Sequence, residues 1–187
     1  MKLRIKNTAL TVKIISWLQI VGGILGLYSM TKIMLQTDAV NGPLLFILLF
    51  GLSLFIFSIY TGNTTLRSQD KKRGIILMLI NQILQLFQWC MFGYSLSYSS
   101  GMNLLIGIKG ALSFVFDWEI GSTFSMSINS SDEQFYLKIN LIAILLIIVL
   151  ISIYTELKNE NKTAEAADPL LIQEANDDLT QLQGSPD

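Results

Sequence analysis

The chain has 187 residues, 51% of them hydrophobic and 14% charged, with 13 basic side chains, 14 acidic ones and no histidine. The near-balanced charge gives no footprint for nucleic acid, and the missing histidine excludes His-ligated haem, His-based zinc sites and a histidine general base. What charge there is gathers at the edges of four uncharged apolar runs, which points to an integral membrane protein.

Residues 1–13 form a basic N-terminal segment with Lys2, Arg4, Lys6 and Lys13. The first uncharged run, Ile14 to Thr31, predicts a spanning helix over about 14–34, and Pro43 opens a second over about 43–61. The third run, Ile75 to Tyr98, predicts a helix over about 74–98, and the fourth, Ile139 to Thr155, one over 139–157. Each reaches or nearly reaches the roughly 20 residues that a bilayer core of about 30 Å requires. The expected fold is therefore an all-α membrane protein, a four-transmembrane-helix bundle. The basic residues flank one side of these runs, with Arg67, Lys71, Lys72 and Arg73 in the link and Lys158 and Lys162 after the fourth. Only Lys32, Lys109 and Lys138 fall on the other side. The expectation is a plasma or inner membrane protein, multi-pass, with both termini cytoplasmic and the first span retained rather than cleaved.

An internal duplication is suggested by Ser58-Ile59-Tyr60-Thr61 against Ser152-Ile153-Tyr154-Thr155, and by Leu18-Gln19-Ile20 against Leu84-Gln85-Leu86. Between the third and fourth runs, residues 99–138 read as an extracytoplasmic β segment. Apolar residues there recur at even positions from Met102 to Ile128, a period of two. Glycines at 110 and 121 predict two three-residue turns, hence a meander of strands 102–108, 112–120 and 124–128. Phe114, Phe116, Trp118 and Phe124 would share its aromatic face, the candidate surface for a partner. The layout of four spans with an outer β segment resembles that of claudin-type proteins, although their sheet comes chiefly from the loop after the first span. That resemblance rests on layout and carries no residues across.

Inside the predicted spans, Asn81, Gln85 and Gln88 recur at helical spacing, and Gln19 matches them in the first. These four form a candidate polar stripe, either bonding the bundle together or lining a path for a neutral or weakly polar solute. Gly22 and Gly26 allow close helix approach. No carboxylate lies in a span, Cys90 has no base beside it, and no phosphate-binding loop occurs. No enzyme activity, metal or cofactor is expected. The expected partners are membrane lipids, another membrane or extracytoplasmic protein, or a second copy of the chain, and not nucleic acid. Residues 158–187 form an acidic tail in which Asp168 could cap a short helix, and Asn129-Ser130-Ser131 fits a glycosylation sequon.

Overall fold

The structure, a computed structural model, describes residues 7–37, 39–67, 71–110, 113–128 and 135–159. The tail beyond 159, the sequon and the first six residues lie outside these. Among the described residues four helices form: α1 (Thr8–Gln36), α2 (Gly42–Arg67), α3 (Lys71–Leu84) and α4 (Leu141–Asn159). Between α3 and α4 the chain makes six strands: β1 (Phe87–Met91), β2 (Tyr94–Ser99), β3 (Met102–Lys109), β4 (Ser113–Ile120), β5 (Thr123–Ser127) and β6 (Tyr136–Asn140). All belong to one antiparallel sheet in the order β4-β3-β6-β1-β2-β5.

The expected all-α four-span bundle is therefore corrected. Helices α1, α2 and α4 are long and apolar enough to cross a membrane. Helix α3, at 14 residues, rises only about 21 Å, short of a bilayer core. Its run does not continue as helix because the pattern changes at Phe87. Phe87, Trp89 and Met91 alternate with Gln88 and Cys90, then Tyr94, Leu96 and Tyr98 alternate with serines. Phe92 and Gly93 supply the two consecutive positive φ angles, 53° and 78°, that a tight two-residue hairpin loop requires. The suggested duplication falls with the third span, since the stretch matched to the middle of α1 ends a helix and enters a strand. The claudin-type layout falls with it too.

The alternation from 102 to 120 is realised as the hairpin of β3 and β4, with Met102 opposite Ile120 and Lys109 opposite Ser113. The third strand of the expected meander is corrected. β5 does not turn back on β4 but pairs with β2 at the far edge, Tyr98 opposite Phe124. Only Gly121 and Ser122 separate β4 from β5, although the two occupy opposite edges. Laid flat, six strands about 4.8 Å apart would part those edges by roughly 24 Å, whereas a two-residue link reaches about 11 Å at most. The sheet must therefore curl into an incomplete barrel. Gly107 permits the bend in β3, for a Cβ there would strike the Leu137 carbonyl and lie 2.7 Å from the Lys138 Cα.

Two cores hold the parts together. At one end, Ile15 of α1, Ile75 and Met78 of α3, and Leu150 and Ile153 of α4 cluster between three helices. At the other, Met30, Leu48 and Phe55 of the long helices bury Tyr98 and Phe124 of the sheet. Helices α1 and α2 approach closely because Gly23 and Gly26 face Phe55 and Gly62 faces Ser16. The Gly22–Gly26 pair thus serves packing within the chain. The remaining faces of α1, α2 and α4 expose Trp17, Val21, Ile24, Phe46, Leu49 and Ile148 among others, an apolar belt suited to lipid.

Candidate functional site

Where α3 gives way to the sheet, seven polar side chains meet. Thr61 donates to the Gln19 carbonyl oxygen (2.5 Å), and Gln19 donates to the Met78 backbone carbonyl (3.5 Å). Ser58 donates to the Gln19 backbone carbonyl (3.0 Å) and lies 3.1 Å from the Ser100 hydroxyl. The Asn81 amide donates to Ser58 (3.1 Å), while its carbonyl oxygen accepts from the Tyr98 hydroxyl (3.2 Å), which also reaches the Leu54 carbonyl (3.1 Å). Gln85 donates to the Asn81 backbone carbonyl (3.3 Å) and accepts the Ser100 amide (2.9 Å). All seven are buried.

This network brings together three members of the expected stripe, Gln19, Asn81 and Gln85. Each amide has a partner within the chain, so the cluster works as a polar joint between α1, α2, α3 and β2. Gln88 is placed elsewhere. It lies on β1, 4% exposed, with its amide nitrogen buried and unpartnered.

Gln88 belongs to the inner face of the curled sheet. Register puts Gln88 beside Lys138 and Cys90 between Tyr136 and Ser95, with Ser127 next along. The floor is a bonded cluster in which Asn140 donates to Asn103 (2.8 Å) and Asn103 donates to Ser99. Asn140 also caps α4 by accepting from the Ile142 amide (3.1 Å), so the floor is tied to a helix start. Higher up, Lys138 pairs with Asp117 at 2.6 Å. Burial, with the Cys90 thiol beside it, pushes the Tyr136 phenol above its ordinary range. Gln88, Cys90, Asn103 and Asn140 are all buried, as the concave face of a curled sheet requires. Hydroxyls and amides here can hydrogen-bond a polar solute. A nucleophile with a base to activate it is not formed among the described residues.

The outer face is apolar throughout: Phe87, Trp89 and Met91 on β1, Leu104 and Ile106 on β3, and the aromatic row on β4. Of the four residues expected to share a docking surface, three stand together. Phe114, Phe116 and Trp118 are 82%, 67% and 67% exposed, beside Ile120 and Met102. Phe124 is not with them. It sits at the opposite edge, buried against α2, with its ring meeting Phe50 edge-on at 6.0 Å. Among the described residues β4 is also an edge strand, paired only through β3. The sequence reading missed Phe87, Trp89, Tyr94 and the inner serines, although their period-two alternation from Phe87 to Ser99 was the available signal.

Comparison with protein-family models, with curated proteins and with solved structures finds no match to this chain.

Proposed function

We propose that the protein is a non-enzymatic, multi-pass accessory or scaffold subunit of a membrane complex, docking its partner on β4. The observation that carries this reading is the row Phe114, Phe116, Trp118 and Ile120, 67% to 82% exposed on an edge strand. Water does not favour such a face, and lipid does not favour an unpaired strand edge, because backbone groups in hydrocarbon must be bonded. A protein partner satisfies both needs, covering the rings and pairing the strand. The apolar belt on α1, α2 and α4 supports residence in the membrane. The basic residues at one end of the bundle support a plasma or inner membrane with both termini cytoplasmic.

The test is photo-crosslinking from position 116 or 118 in native membranes, with Leu145 on the apolar surface of α4 as control. A discrete protein adduct from β4, absent from Leu145, is the expected result. Adducts to lipid alone from all three positions would refute the docking reading. A second reading, a carrier of a neutral or weakly polar solute, is favoured by one observation, the buried unpartnered amide of Gln88 on the concave face. Transport that survives Gln88→Leu would count against it.

A further inference from the structure

The end of the bundle away from the sheet holds a cavity of about 300 Å³, bounded by the N-terminal turns of α1 and α3 and the C-terminal turns of α2 and α4. Lys13 and Lys71 both line it, with Thr8, Thr65 and Glu156. Among the described residues neither lysine is in an ion pair. Thr8 donates to the Glu156 carboxylate at 3.3 Å, so the one acid in the wall is already engaged. Two ammonium groups against one carboxylate leave a single net positive charge. The N-terminal ends of α1 and α3 are offset electrically by the C-terminal ends of α2 and α4, so the charge of the cavity is that of its side chains.

A second hollow adjoins the first. A shallow, open groove of about 430 Å³ runs along the exposed side of α1 between Leu10, Lys13, Ile14, Trp17, Leu18 and Val21, all on that one helix. Lys13 is common to both. The groove follows the helix from Lys13 to Val21, a rise of about 12 Å. A cationic cavity at a helix-bundle end, opening onto an apolar trough of that length, matches a molecule with an anionic head and a hydrocarbon chain. Lysine suits the head as a compact point charge, its methylenes lying along the chain's upper part.

We infer that this end of the bundle binds one anionic phospholipid, its phosphodiester held between Lys13 and Lys71 and one acyl chain laid along Ile14, Trp17, Leu18 and Val21. The single net charge of the cavity fits a phosphodiester better than a doubly charged phosphate monoester. The site lies at the opposite end from β4 and does not depend on the docking reading, only on residence in the membrane.

Native mass spectrometry of the full chain in mild detergent tests this, with phosphatidylglycerol, phosphatidylcholine and glycerophosphate as probes. One phosphatidylglycerol should bind at least fivefold better than phosphatidylcholine. K13Q/K71Q should abolish that preference, while K32Q/K109Q, with the same loss of charge elsewhere, should keep it. L18S/V21S alters only exposed positions and should weaken phosphatidylglycerol at least fivefold. Equal binding of both lipids, or an unchanged preference in a folded K13Q/K71Q protein, overturns the inference. Displacement of the lipid by millimolar glycerophosphate would overturn the acyl groove and assign the phosphate site to a soluble ligand.

Discussion

Replacing Gly23 by alanine sets two effects of known size against each other. In an isolated helix the change favours folding by about 1 kcal/mol, because glycine is the poorer helix former. In the structure the added Cβ would lie 2.6 Å from Ile59 Cγ1 and 2.8 Å from the Phe55 carbonyl oxygen. Ordinary contact begins near 3.4 Å, so the α1 and α2 backbones must separate by about 0.6 Å, and overpacking of this kind costs roughly 1–3 kcal/mol. The carbonyl cannot turn aside as a side chain would. With adjacent core residues also strained as the helices part, G23A should be net destabilising by about 1 kcal/mol. Gly42, with nothing within 4 Å of its would-be Cβ, provides the opposite case, and G42A should be neutral or slightly stabilising. Reversible unfolding in mixed micelles, followed by circular dichroism against rising dodecyl sulfate, measures both. A G23A protein as stable as the parent, or more so, would refute the close α1–α2 crossing.

Three further outcomes follow from the sheet and the joint. In a C90S background, S95C/S127C should form a disulfide under mild oxidation, since the two hydroxyls lie 2.6 Å apart across β2 and β5. W118C/M126C, which a β4–β5 hairpin would bring together, should not crosslink. Gly107→Ala should destabilise by about 2 kcal/mol or more, seen as a lower denaturant midpoint, because its Cβ meets the backbone of β6. Asn81→Leu removes the bonds to Ser58 and Tyr98 and should cost about 1–2 kcal/mol in the same assay. An unchanged midpoint would mean that the joint is not formed.

Hydropathy made α1, α2 and α4 legible, because each is uncharged over enough length and apolar on most sides. It failed on the third run for a physical reason. Gln85, Gln88 and the serines from Ser95 to Ser99 are neutral, so counting charges passes over the change from a helical period to an alternating one. The hairpin of β3 and β4 was legible because its pairing is local and its glycine turn lies between two alternating stretches. The partnership of β5 with β2 was not, since a two-residue link normally joins neighbours and only the curl of the whole sheet lets it join opposite edges. The polar joint was partly legible. Gln19, Asn81 and Gln85 stood out as amides among apolar residues, while Ser58, Thr61 and Ser100 carry no such contrast, small hydroxyls being common in packed helices. Phe124 misled because alternation reports which face a residue shares, not which part of that face is covered.

The position of β6 has a consequence for the order of assembly. Among the described residues it is the last strand in chain order, yet it lies between β3 and β1, near the middle of the sheet. Until residues 136–140 emerge, the earlier strands form two separate pieces, β3 with β4 and β1 with β2 and β5, with an open slot between them. Its arrival fills that slot, and Asn140 then starts α4 in the same stroke. Closure of the sheet and seating of α4 are thus one event. A ribosome that stops before residue 136 releases a chain with two extra bare strand edges, the form most exposed to mispairing.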